Sequence, residues 1–151
     1  MTGHEYAELV ARYIVRNFGV RGIEVYREVY LGKTIIGKNR RVDMLLLDKK
    51  RDVAMAIECK YQDSPGTTDE KIPYTLDDMQ AIGMPVCVAY AGGGFSEGIL
   101  RHLAASPIAA YCMPDTLTWE RMPKTRELDA KLAMTFQWWD VLVQGKSPFL
   151  V

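Results

Sequence analysis

The sequence predicts an α/β domain with a mixed central β-sheet flanked by helices and a C-terminal helix. Three observations predict it. An amphipathic stretch near the N-terminus has helical period. Three strand-like segments follow it. Helix-like and strand-like stretches then alternate. A length of 151 residues favours one domain with a single core. That core spans about residues 4–112, and a helical extension covers about 113–151.

Residues 4–18 form the first helix. Tyr6, Leu9, Val10, Tyr13, Ile14 and Phe18 share one broad face, and Gly19 is a stop. Strands follow at Ile23–Leu31, Arg41–Leu47 and Val53–Tyr61. Gly32 and Gly37 mark an irregular stretch between the first two, and Asp48-Lys49-Lys50-Arg51-Asp52 suits a hairpin turn. Gln62–Pro73 begins as a loop. Thr67-x-x-Glu70 reads as a capping box opening a helix. Pro73 interrupts that helix, which is kinked or restarts at Thr75 and ends near Gly83. Val86–Ala91 is a short apolar strand. Gly92-Gly93-Gly94 is a flexible turn that lacks the spacing of a phosphate loop. Ser96–Ala105 is a helix and Ile108–Cys112 the last core strand. Beyond it, Thr118–Met122 is a small extra strand and Thr125–Gln144 one long helix closed by Gly145. The apolar run Phe136–Val143 covers an open part of the core or forms a homodimer contact, with core packing the preferred reading.

Composition is that of an ordinary soluble protein, 48% hydrophobic and 25% charged. No apolar run approaches the ~20 residues of a membrane span. Met1-Thr2-Gly3-His4-Glu5 lacks the basic start and apolar stretch of a signal peptide. Cys59, Cys87 and Cys112 are scattered, which argues against a disulfide scaffold or zinc site and suits a reducing cytoplasm. His4 and His102 have no ligand spacing. A formal net charge of zero counts mildly against a nucleic-acid binder. The charge is uneven, however: Lys33, Lys38, Arg40, Arg41, Lys49, Lys50 and Arg51 fall in one stretch, while acids collect between Asp63 and Asp78.

The third strand carries the candidate chemistry. It begins Val53-Ala54-Met55-Ala56-Ile57 and ends Glu58-Cys59-Lys60. Alternation puts Glu58 and Lys60 on one face with Ala54 and Ala56. A turn at Lys49–Asp52 sets Asp48 opposite Val53, and the same register sets Asp43 opposite Glu58. Opposed residues have Cβ atoms roughly 4.5–5.5 Å apart, and like charges there repel. Two carboxylates so placed suggest a divalent cation, best Mg²⁺ with Mn²⁺ able to substitute. Lys60 beside them could orient or deprotonate a water, or stabilise charge developing on phosphate. Taken singly, each of these residues is more often an ordinary surface charge; the joint pattern is the stronger signal.

Asp43 … Glu58-Cys59-Lys60 resembles the catalytic motif of the PD-(D/E)XK, or restriction-endonuclease-like, nuclease superfamily. Val42 stands where many members have proline. The element order from the first helix to Cys112 also resembles the superfamily's αβββαβαβ core. The resemblance implies that Asp43 and Glu58 bind metal, with the backbone carbonyl of Cys59, and that Lys60 is the catalytic lysine. It also implies a glutamate from the first helix. Glu8 is preferred for that role and Glu5 retained. Gln62 and Lys71 are read as loop and helix surface, and Gln80 is a guess at a residue pointing to the site.

Two function classes follow. The first is a Mg²⁺-dependent deoxyribonuclease acting on DNA, an endonuclease of restriction, repair or phage type. The second is a non-catalytic DNA-binding or assembly module on the same fold, supported by the neutral charge and the apolar tail.

Overall fold

The apolar periodicities resolve into a five-stranded sheet with helices on both faces. The structure, a computed structural model, describes residues 1–151. Helix α1 (Gly3–Phe18) leads through a 3-10 turn into strand β1 (Ile23–Lys33). Strands β2 (Asn39–Asp48) and β3 (Val53–Tyr61) follow. Then come α2 (Thr68–Gln80), β4 (Val86–Ala91), α3 (Glu97–Ala105) and β5 (Ala109–Tyr111). The chain ends with α4 (Arg126–Phe136) and the short α5 (Trp139–Leu142). Strands lie in the order β1-β2-β3-β4-β5. The first two pairings are antiparallel and the last two parallel. All six residues of β4 are buried, as a strand covered on both faces requires.

One face of the sheet packs against α1, α4 and α5 through Met44, Leu46, Met55, Ile57, Cys87 and Ala89. The other packs against α2 and α3 through Ala56, Val88 and Tyr90. Helix α1 starts with a capping box. Thr2 Oγ1 accepts from the Glu5 N–H at 3.1 Å, and the Glu5 carboxylate accepts from the Thr2 N–H at 2.7 Å.

The side-chain alternation of the β1–β2 hairpin inverts part-way along. Val25 packs on the α1 side of the sheet, whereas Val29 and Leu31, of the same parity, pack on the α2 side. On β2, Met44 and Leu46 face α1 while Val42 faces α2. The inversion falls at Glu28, whose φ is +53°, and at Asp43 across from it. A non-glycine residue at positive φ turns the strand about its axis. The outer half of the hairpin is thereby rolled onto α2.

Buried Arg40 secures it there, its guanidinium meeting the Asp78 carboxylate at 2.9 Å through both Nε and Nη2. Asp78 Oδ1 also accepts from the Ile35 N–H at 2.9 Å. These partners hold the Asp78 carboxyl below the usual carboxylate range, the Arg40 hydrogen bonds foremost, against the opposing effect of burial.

Several expected elements take a different form. Helix α2 runs unbroken through Pro73, and the Thr67 side chain does not cap it. Thr67 already has helical φ and ψ, so its hydroxyl is not in capping position. Burial of Ile72, Leu76 and Met79 offsets the hydrogen bond that Pro73 cannot donate. Thr118–Met122 is not a strand: Trp119 has φ of +57°, which extended backbone excludes. The long helix over Thr125–Gln144 is broken at Gln137, which caps α4 in the left-handed conformation with φ of +64°. That reversal folds buried Trp138 back onto the core. Its ring stacks on Phe136 at 5.3 Å and on Phe18 at 4.9 Å between centroids. Phe136, Trp138 and Val141 are therefore core, as preferred, while Trp139 and Val143 remain exposed.

Candidate active site

The hairpin register runs as the turn length requires, from Asp48 opposite Val53 to Met44 opposite Ile57. The ladder stops at that pair, because β2 begins to roll away at Asp43. Carboxylates then replace the missing backbone bonds. The Asp43 N–H donates to Glu58 Oε1 at 3.0 Å, and the Cys59 N–H donates to Asp43 Oδ2 at 2.7 Å. Two acids that a regular ladder would merely have set side by side are drawn into the gap between diverging strands.

Asp43 and Glu58 are both half-buried there. Burial, repulsion by Asp43 and a hydrogen bond to the Asp43 carboxyl all push the Glu58 carboxyl upward, while Lys60 and the Asp43 N–H pull it down only in part. Ionising both carboxyls there therefore carries a cost that a cation would relieve.

Glu58 and Lys60 open into a cleft of about 290 Å³ between β3 and α2. Lys71, Tyr74, Thr75 and Asp78 line its other wall. Positions 71, 74, 75 and 78 are separated by three or four residues, the spacing of one helix face. That spacing is readable in the sequence, where Lys71 reads as helix surface. Lys71 is exposed, yet it borders the same cleft as Glu58 and Lys60. A larger cleft of about 720 Å³ lies among residues 121–146 and contains neither acid, so its size does not make it the site.

The structure does not bring the helix acids to this pair. Glu8 is exposed on α1 and pairs with Arg12 at 3.1 Å. Glu5 is the capping residue of the same helix. No three His, Cys, Asp or Glu side chains converge on a point. The acids' oxygens suit a hard divalent cation that keeps several waters and takes one or two carboxylates from the protein. Cys59 could add only its carbonyl. Its side chain points into the α1-side core, where burial foremost raises the thiol well above its ordinary value.

Gln80 lies elsewhere, in a groove with Met55, Met84 and Pro85 at the opposite end of the sheet. Gln62 is buried, not surface. Its Oε1 accepts from the Asp69 N–H at 3.2 Å, at the start of α2, and its Nε2 donates to the Gly94 carbonyl at 2.9 Å. Gly92-Gly93-Gly94 is correspondingly no flexible turn. A Cβ on Gly92, whose φ is +104°, would lie 2.2 Å from the Gln62 carbonyl oxygen, and one on Gly94 would lie 2.4 Å from the Ser64 nitrogen. These glycines let β4 seat the segment that follows Lys60. Gly92→Ala is expected to cost about 2–4 kcal/mol in chemical denaturation, combining strain with a backbone clash.

The sequence model of the PD-(D/E)XK nuclease superfamily domain matches residues 2–139. The chain belongs to the PD-(D/E)XK nuclease superfamily. Its mixed sheet with flanking helices is the restriction-endonuclease-like fold of that superfamily. PD-(D/E)XK nucleases generally use divalent metals. No curated protein sequence matches the chain.

Among solved structures it is similar to AF1548, a protein of unknown function, at 16% identity and a TM-score of 0.46 over 72% of this chain and 56% of that one. It is also similar to a repair endonuclease from Pyrococcus abyssi, at 19% identity and a TM-score of 0.38 over 66% and 43% of the two chains. A third is EndoMS in complex with double-stranded DNA, at 19% identity and a TM-score of 0.40 over 72% and 44%. The chain spans about half the length of the solved structures it matches. No helix in this PD-(D/E)XK domain is long and apolar enough to cross a membrane.

Proposed function

We propose that this PD-(D/E)XK domain is a Mg²⁺-dependent deoxyribonuclease that hydrolyses DNA phosphodiester bonds, an endonuclease of restriction, repair or phage type. The observation that carries the reading is the opened end of the β2–β3 hairpin. There the Glu58 carboxylate accepts from the Asp43 N–H and the Asp43 carboxylate from the Cys59 N–H across diverging strands, with Lys60 in the adjoining cleft. Asp43, Glu58 and the Cys59 carbonyl would hold the cation, Mg²⁺ or in its place Mn²⁺. When bound, the cation supplies Lewis-acid polarisation of the phosphate and lowers the pKa of water.

The protein's own contributions are positional. The Cys59 N–H fixes the Asp43 carboxylate, and the Asp43 N–H fixes that of Glu58. Lys60 carries a positive charge into the cleft beside Glu58. Its ammonium donates to the attacking water or to a phosphate oxygen and stabilises charge that grows in the transition state. Three free, buried cysteines suit a cytoplasmic home. The exposed Trp139 and Val143 leave room for a homodimer contact at the C-terminal helices.

A cleavage screen on linear, branched, single-stranded and supercoiled DNA, with Mg²⁺ and with Mn²⁺, tests the activity. Cleavage that chelator abolishes is the expected result. Cation binding is measured separately by melting. At a cation concentration 100 times Kd the fold gains about 2.7 kcal/mol, a rise in Tm of roughly 5–10 °C for a domain of this size. Asp43→Asn is expected to lose that rise while keeping an acceptor for the Cys59 N–H.

The second reading, a DNA-binding or assembly module without turnover, is favoured by one observation: Glu5 and Glu8 are both engaged away from the acid pair. DNA binding without cleavage, and no Asp43-dependent cation binding by calorimetry, would select it.

A further inference from the structure

The β1–β2 hairpin extends well beyond the acid pair, and its outer end has no role in holding the cation. From Lys33 to Arg41 it carries Lys33, Lys38, Arg40 and Arg41 and no acid. Arg40 is neutralised by Asp78. Lys33, Lys38 and Arg41 are exposed and form no ion pair. Lys33 Nζ donates only to the neutral Asn39 Oδ1, at 2.6 Å.

The tip is both apolar and rigid. Ile35 and Ile36 are 50% and 61% exposed. They sit in a turn closed by the Thr34 N–H to the Lys38 carbonyl at 2.7 Å and the Gly37 N–H to the Thr34 carbonyl at 2.9 Å. Asp78 pins that turn to α2 through the Ile35 N–H. Along the hairpin, Tyr30 lies opposite Arg41, and both are exposed. They alternate with Arg40, which is bonded to α2, and Val42, which packs on it, so they point away from α2. Glu28 is the one acid on that outward strip of β1.

A preorganised ribbon with unpaired cations flanking two exposed isoleucines is complementary to a polyphosphate groove. We propose that this hairpin is a DNA-gripping arm. Lys33, Lys38 and Arg41 lie along the phosphates of duplex DNA beside the acid pair, and Ile35–Ile36 enters a groove as an apolar wedge. The inference rests on the reading of Asp43, Glu58 and Lys60 as a DNA-cleaving site, and it adds where the duplex runs. Lys38 lies five positions before Asp43, about 16 Å of strand. At 3.4 Å per base pair this places the tip roughly five base pairs from the cut.

The test is binding of a fluorescent 30-base-pair duplex in EDTA, where no cleavage occurs, between 50 and 200 mM NaCl. Wild type is compared with the triple variant Lys33→Ala, Lys38→Ala, Arg41→Ala and with the double variant Ile35→Ser, Ile36→Ser. All five side chains are exposed, so both variants are expected to melt as wild type does. The triple variant is expected to bind at least about tenfold more weakly at 50 mM salt, with a salt slope shallower by about 2.7. The isoleucine variant is expected to bind more weakly with the slope unchanged. Both should keep the wild-type Mn²⁺ melting shift. A triple variant with wild-type affinity and slope overturns the arm while wild-type cleavage still upholds the site. A wild type that neither binds nor cuts DNA overturns the site and the arm with it. A triple variant that instead dissociates a dimer in sedimentation overturns the arm in favour of a protein interface.

Discussion

Lys60→Ala is expected to lower DNA cleavage by about 10²–10³-fold, the range for removing one preorganised hydrogen-bond donor from a transition state, while divalent-cation binding persists. The two effects would separate because, on the proposed reading, Lys60 would face the phosphate and the acid pair the cation. Lys60 lines the cleft with Glu58 and forms no ion pair, so its charge is free for substrate. Lys60→Arg retains charge but replaces a compact ammonium by a planar fork, so an intermediate loss is expected. Single-turnover cleavage and calorimetric Mn²⁺ titration of the same preparations check the pair of outcomes. Cleavage by Lys60→Ala at the wild-type rate would remove the residue from the mechanism.

Asp78→Ala is expected to destabilise the fold by about 3–5 kcal/mol, because it leaves the Arg40 guanidinium buried without a partner. That corresponds to a fall in Tm of roughly 10 °C. The loss is structural first and functional second. The same carboxylate holds the Ile35 N–H, so the hairpin is freed from α2 together with the lining of the Lys60 cleft. Replacing both partners, with Arg40→Met and Asp78→Leu, removes the unpaired charge and is expected to recover most of the stability.

The pair also sets an acid limit. The Asp78 carboxyl is held below its unfolded value of about 3.9. Its contribution is therefore complete above that value and is lost as pH falls through the lower folded value. Wild type is expected to lose stability below about pH 4 more steeply than the double variant, measured by urea denaturation across pH.

The hairpin register was legible in the sequence because the charged segment from Asp48 to Asp52 allows only a short turn, and that register placed Asp43 against Glu58. What the sequence did not disclose is that the ladder opens at that point. A positive φ at Glu28 is a property of one backbone torsion, and nothing in glutamate's identity signals it. Without it, Asp43 and Glu58 would be neighbours on a flat face. With it, each accepts a backbone N–H from the other strand.

Pro73 is a related case. Local propensity argues for a break, but the buried face of α2 and the Arg40–Asp78 pair outweigh one lost hydrogen bond. Gln62 read as surface because a polar residue in a polar segment normally is. Its burial depends on Gly92 and Gly94, thirty residues on, whose missing side chains let the two segments touch. The tail's apolar run was legible as core, but the turn at Gln137 that delivers Trp138 to Phe18 was not, since glutamine rarely marks a left-handed cap.

The most direct test of the central claim is cleavage of a supercoiled plasmid by wild type and by Asp43→Asn, each with Mg²⁺, with Mn²⁺ and with EDTA. Thermal melting alongside establishes that both proteins are folded. The acid pair as cation site requires nicking or linearisation by wild type with either cation, none in EDTA, and none by folded Asp43→Asn. Cleavage by folded Asp43→Asn at the wild-type rate, or wild-type cleavage that survives EDTA, would contradict it.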